Sequence, residues 1–306
     1  MRIPLRPPAR VLASSVIGAI GKVGSNRLSL VAAGVGFFGM LSIFPALAAL
    51  IALLSLITEP NVAVVQLEEF RDLMPADVFD ILHAQVLKLV TTSSSELGWA
   101  GLISILVAFW SARAGVGAMM QGLNAVYGLK SRAGFRHYVR ALLLTFALLA
   151  VGIVALLTVV VAPVVLAFLP LGSTVSVILD GVRWIIGIVV IFVGIGLLYR
   201  FGPNRSNASS GWLTPGSVFS VLAWACVSIA FSTYVAQFGS YNEVYGSIGA
   251  VMAMLVWLWI SSLVVLFGAA INAEIERRLI SQSTQDPENQ AQSPLAPLDT
   301  NEALGG

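Results

Sequence analysis

Residues 28–57 read LSLVAAGVGFFGMLSIFPALAALIALLSLI, thirty residues without one charged side chain. A helix needs about 20 predominantly apolar residues to cross the hydrocarbon core of a bilayer. This run exceeds that length, and it is also far longer than the apolar core of a cleavable leader. The MRIPLRPPAR that opens the chain is basic and proline-rich, and no short apolar core with a cleavage site follows it. We therefore read Leu28–Ile57 as a retained first span.

The rest of the chain has the same character. Of its 306 residues 58% are hydrophobic and 10% charged, and the mean hydropathy is +0.90. A soluble domain keeps roughly 25% charged residues to wet its surface. This chain cannot, so its outer surface must be largely apolar and it is a membrane protein. Further candidate spans are Leu97–Gly122, Ala141–Leu169, Val182–Tyr199, Leu213–Phe238 and Ser247–Ala273. The fold class is all-α: a polytopic bundle of about six transmembrane helices. Pro45 in the first span and Pro163 in the third remove a backbone donor each and should bend their helices.

Charge sets the orientation. Arg2, Arg6, Arg10, Lys22 and Arg27 precede the first span, and Lys130, Arg132, Arg136 and Arg140 fill the second connection, with no acid among either group. Arg200 and Arg205 flank the fourth connection, and Arg277 and Arg278 follow the last span, so one side holds thirteen of the seventeen basic residues. By the positive-inside rule that side is cytoplasmic. Both termini then lie inside, which agrees with an even number of spans.

The domains follow: a basic cytoplasmic segment 1–27, a six-span domain 28–276, and a tail 277–306. The tail is polar, holds three prolines and lacks aromatics, a composition that predicts disorder. The largest external segment, Glu59–Glu96, carries Leu67, Phe70, Leu73 and Met74, then Phe79, Leu82, Val86 and Leu89, at helical spacing on either side of Pro75. It predicts two short amphipathic helices on the outer face.

Catalytic chemistry is sparse. His83 and His137 belong to no set with metal-ligand spacing, and Cys226 is alone. No phosphate-binding Gly-rich loop followed by Lys-Ser/Thr and no GxSxG occurs. A hydrolytic nuclease needs carboxylates or histidines to hold its metals, and the cytoplasmic connections lack acids. The basic residues there have a sufficient cause in topology and are not interleaved with aromatics as in a nucleic-acid interface. We expect no enzyme activity, no cofactor, no metal and no nucleic acid.

One segment is chemically odd: AFWSARAGVGAMMQGLNAVYG, residues 108–128. At about 100° per residue, Arg113, Gly117, Gln121 and Asn124 share a side of the helix, with Met120 among them. Arg113 stands about midway between Glu96 and Lys130. Facing lipid there costs roughly 2.5–3.5 kcal/mol even on the lenient insertion scale, so it should point inward, toward a freed carbonyl, a water or an anionic ligand. Asn272 lies on a matching side of the last span with Ser247, Ser261 and Gly268. Arg113, Gln121, Asn124 and Asn272 are the candidate substrate ligands. The bland alternative is that amides and small residues pack helices.

Three segments together resemble the YihY/BrkB family of bacterial inner-membrane proteins: FFGMLSIFP at 37–45, Trp110-Ser111 through Arg113 to LNAVYG at 123–128, and YGSIGA at 245–250 leading through Trp257 to LFGAAINAE at 266–274. The likeness runs from about Leu28 to Glu276. It implies a polytopic protein with both ends inside and carries over no reaction. Some members bear a ribonuclease label, against which the missing metal ligands here argue; others are linked to serum resistance and to envelope lipid or lipopolysaccharide handling. Membrane lipids and an anionic lipid or small molecule are the implied partners, and the oligomeric state stays open. Transport of an anionic or amphipathic envelope molecule through a polar cavity is the leading expectation. A non-catalytic membrane scaffold is the alternative.

Overall fold

A computed structural model describes residues 8–57, 83, 94–130, 134–158, 173–205, 211–237 and 239–292. The expected external helices (apart from 83 and 94–96), Pro163 and residues 293–306 lie outside the described residues. Among the described residues every regular element is helical: α1 Ala9–Ser25, α2 Leu28–Ile57, α3 Ser94–Val126, α4 Phe135–Leu156, α5 Ser173–Phe201, α6 Pro215–Gln237 and α7 Gly239–Gln292. Six of these are long and apolar enough to cross a membrane, over Leu28–Ala46, Gly101–Val126, Phe135–Leu156, Gly181–Phe201, Pro215–Val235 and Gly249–Ser281. The chain is a multi-pass helical membrane protein.

Local sequence explains where the helices stop. α3 ends at Gly128, whose φ of 65° is the left-handed conformation that closes a helix C-terminus; Leu129 N–H then returns to the Asn124 carbonyl at 2.8 Å. α6 opens on Thr214-Pro215-Gly216-Ser217. Thr214 N–H donates to Ser217 Oγ (2.8 Å) and Ser217 N–H to Thr214 Oγ1 (3.2 Å), a reciprocal cap with proline at the first helical position. Pro45 lies inside α2, which continues to Ile57. It removes one backbone donor without ending the helix.

Two segments differ from expectation. Residues 9–25 form a helix, α1, that packs along α7 with Val11, Ser15 and Ala19 buried. The first half of the expected tail, 277–292, continues α7: Arg277 and Arg278 bond back to Glu274 and Leu279 packs on the core, which carries the helix past its apolar part.

Helices α2 to α7 form a ring in chain order, with α7 closing back on α2, and α3 also meets α7. We call the end where α2, α4 and α6 begin, and α3 and α5 finish, the basic end. Among the described residues every buried apolar side chain of the spans sits in the half nearer that end: Leu28 and Ala32 of α2, Met119 to Val126 of α3, Ala141 and Leu144 of α4, Ile195 and Tyr199 of α5, Val221 of α6, Leu266 to Ile275 of α7. Lipid is as apolar as leucine, so helices in a bilayer are held by close packing and polar bonds rather than by escape from water. The bonds are there. Tyr199 Oη donates to the Val265 carbonyl at 2.6 Å and lies 2.8 Å from Ser220 Oγ, and Trp259 Nε1 donates to the Ser29 carbonyl at 3.1 Å. Close approach comes from glycine: a Cβ on Gly36 would lie 3.2 Å from the Trp259 nitrogen, and one on Gly122 would strike Leu266 and Val31 at 2.8 Å.

Candidate functional site

Arg113 projects from α3 onto α4. Its guanidinium carbon stands 3.9 Å from the ring centroid of Tyr138, which belongs to the first turn of α4. Its Nε is buried and has no hydrogen-bond partner among the described residues. Neither α4 nor α3 beyond Glu96 contains an Asp or Glu. A cation over an aromatic face gains about 0.5–2 kcal/mol, less than the roughly 2.5–3.5 kcal/mol that mid-bilayer exposure costs. Tyr138 thus offsets part of the cost. Reach supplies more, since the partner sits beside the basic connection and the long side chain brings the charge toward that end. Tyr138 itself is 43% exposed, so this cation–ring pair borders the chain's surface.

The structure does not gather the four expected ligands. Gly117, one turn from Arg113, faces His137, whose Nε2 lies 4.0 Å from where a Cβ would stand. Gln121 is exposed on the chain's surface. Asn124 is buried and its Oδ1 accepts from the Asn204 N–H at 2.7 Å, while Asn204 Nδ2 donates to the Lys130 carbonyl at 3.0 Å. Asn272 is 0% exposed and uses both ends of its amide: Oδ1 accepts from Gly216 N–H at 2.8 Å and Nδ2 donates to Thr214 Oγ1 at 2.8 Å. Arg113 lies at the α3–α4 seam, Asn124 against the α5–α6 connection, and Asn272 at the start of α6.

A second charged group was not legible as a unit in the sequence. The Glu274 carboxylate, 1% exposed, receives Arg277 (2.6 Å), Arg278 (3.0 Å) and Lys22 (3.8 Å). It lies over the bare α-carbon of Gly18, where a Cβ would meet it at 2.8 Å. Arg278 also donates to the Ser14 carbonyl (3.1 Å), and Lys22 to the Val126 carbonyl that ends α3 (3.2 Å). Burial pulls the Lys22 ammonium below its ordinary pKa, and attraction to Glu274 opposes the shift. Beside this junction Arg205 pairs with Glu276 at 3.1 Å and lies 3.6 Å over the ring of Tyr127. Burial pushes the Tyr127 phenol up to about 12, against the pull of Arg205. The i, i+3 and i, i+4 spacing of Glu274 with Arg277 and Arg278 was readable; the contributions of Gly18, Lys22 and Arg205 come from remote segments and were not.

The order of segments from Phe37–Pro45 of α2 through the Arg113 helix to Asn272-Ala273-Glu274 is the one that the resemblance rested on. The model of the family described as Virulence factor BrkB matches residues 19–293. The chain belongs to that family. Similar proteins include the ribonuclease-like protein YfkH of Bacillus subtilis, 28% identical over 80% of this chain and 89% of that one. The UPF0761 membrane protein VV0203 of Vibrio vulnificus is 25% identical over 94% and 89%. UPF0761 membrane protein IL2447 of Idiomarina loihiensis is 31% identical over 33% of this chain and 35% of its own. No solved structure matches. The BrkB family carries the membrane assignment, and the ribonuclease-like name belongs to YfkH.

Proposed function

We propose that this protein handles an anionic, amphipathic molecule of the bacterial envelope, engaging its charged group at Arg113 from the inner membrane with both termini in the cytoplasm. The observation that carries the reading is the state of Arg113. It is an arginine on a membrane span, with no carboxylate partner among the described residues, one buried unpartnered nitrogen, and only a surface-bordering tyrosine ring to balance it. An intramembrane cation of this kind is expensive and is kept where it meets an ion, a substrate or water. Gln121, exposed about two turns further along the same helix, would meet another part of the same molecule. Asn124 and Asn272 we assign to holding helices together, because their amides are spent on neighbouring segments.

The test combines binding and biology. The purified protein in nanodiscs of mixed phosphatidylcholine and phosphatidylglycerol should retain phosphatidylglycerol by native mass spectrometry, and Arg113→Ala should lose that enrichment. In cells, a deletion strain should show an altered envelope lipid profile that wild type restores and Arg113→Glu does not. Full restoration by both variants at normal protein levels overturns the assignment.

A second reading, a non-catalytic scaffold, is favoured by one set of observations: the saturated interhelical bonds of Asn124 and Asn272. Under it, Arg113→Ala would lower abundance in proportion to any loss of function.

A further inference from the structure

Two groups of cations at the basic end differ in what they meet. In the first, Lys22, Arg277 and Arg278 converge on Glu274, and Arg205 on Glu276, so α7 supplies the carboxylates. In the second, along the α3–α4 seam, Arg113, Lys130, Arg136 and Arg140 form no ion pair among the described residues. His137 joins this group. It neighbours Tyr138, the ring that carries Arg113, and its Nε2 reaches the surface of α3 at Gly117, one turn from Arg113 on the same side of the helix. A Cβ at 117 would meet that nitrogen in ordinary van der Waals contact, at 4.0 Å.

We propose that the anionic group taken at Arg113 is a phosphate monoester, and that His137 is its second ligand. This rests on the anion-handling reading above and narrows it. A phosphodiester headgroup carries one negative charge, which one guanidinium satisfies. A monoester carries about 1.5 to 2 charges near neutral pH and three strong acceptor oxygens, enough for the fork of Arg113 and one imidazole N–H together. Two donors from two helices, on a seam with no acid to compete, match that group better than they match a single charge. The same chemistry fits a phosphatidate-type lipid headgroup and a soluble phosphate ester.

The experiment uses the full chain in phosphatidylcholine nanodiscs doped with phosphatidic acid or with phosphatidylglycerol, read by native mass spectrometry. Phosphatidic acid should be retained about tenfold over phosphatidylglycerol, the size of one charge-assisted hydrogen bond. His137→Leu, which has no donor, should reduce that preference to near unity while leaving phosphatidylglycerol retention unchanged, and His137→Lys should restore it. Equal melting temperatures for these variants separate a ligand from a packing residue. Glycerol phosphate in solution distinguishes the sources: displacement of phosphatidic acid at comparable concentration assigns a free ester, and no displacement assigns a lipid. If both anionic lipids are enriched equally in wild type, or if His137→Leu keeps the preference, the monoester assignment is overturned. If neither is enriched over phosphatidylcholine, the anion-handling reading fails with it.

Discussion

Lys22 of α1 lies 3.8 Å from the Glu274 carboxylate of α7, and the same ammonium donates to Val126, the last residue of α3. One side chain thus ties three helices at the basic end. Breaking a buried ion cluster by removing one partner leaves the others uncompensated and costs about 3–5 kcal/mol. Glu274→Gln should therefore lower the melting temperature in detergent sharply and render the α1 segment sensitive to trypsin. Lys22→Gln should do less, since burial already opposes the charge of Lys22. An equal effect of the two substitutions would show that Glu274 is not the hub.

Gly18 offers a steric test of the same junction. A methyl group there meets Glu274 at 2.8 Å, whereas Gly21 and Gly24 have open space around them. Gly18→Ala should destabilise by about 1–3 kcal/mol through overpacking. Gly21→Ala, on the open side of α1, should be neutral or stabilise by up to about 1 kcal/mol from helix propensity. Thermal melts of the two variants side by side check the sign of each.

Tyr138 should act through its ring. Tyr138→Phe keeps the face under Arg113 and should leave the melting temperature within a degree or two of wild type, since surface-bordering changes of this kind stay within about 0.5 kcal/mol. Tyr138→Ala removes the face and should cost about 0.5–2 kcal/mol, the range of a cation–π contact. An Arg113→Ala, Tyr138→Ala double-mutant cycle measures the coupling, and a coupling of zero would separate the two residues.

Asn272 should prove a pin. Replacing it with Ala strands the Gly216 N–H in a buried site, worth about 1–3 kcal/mol when unsatisfied, and leaves the Thr214 hydroxyl with the Ser217 N–H alone. Asn272→Ala should reduce accumulation and melting temperature while leaving lipid retention per folded molecule unchanged. Asn124→Ala, which loses one bond to Asn204, should cost less. Lipid retention that falls faster than folded protein would return Asn272 to the binding site.

Much of the architecture was readable from the chain. Apolar run length located six spans because a bilayer of fixed thickness demands a fixed number of residues. The lack of acids in the second connection marked the basic end, and the unpartnered Arg113 stood out because charge in hydrocarbon is costly wherever the helix sits. The helix α1 was missed although Val16, Ala19 and Val23 recur at helical spacing and pack on the core, because the basic residues around this short run mark the segment only by its charge. The amide stripe was readable as a periodicity. Its meaning was not, because one face of α3 touches different neighbours along its length: α4 at Arg113 and Gly117, the α5–α6 connection at Asn124.

Sequence alone, then, determined the membrane class, the span count, the charged end and the cost of Arg113, all set by local composition against a solvent of known thickness. Only the tertiary structure decided which cations are neutralised. Lys22, Arg205, Arg277 and Arg278 meet α7 carboxylates while Arg113 meets a tyrosine ring, because a charge pair depends on which helices lie side by side, and that order is fixed by packing between segments far apart in the chain.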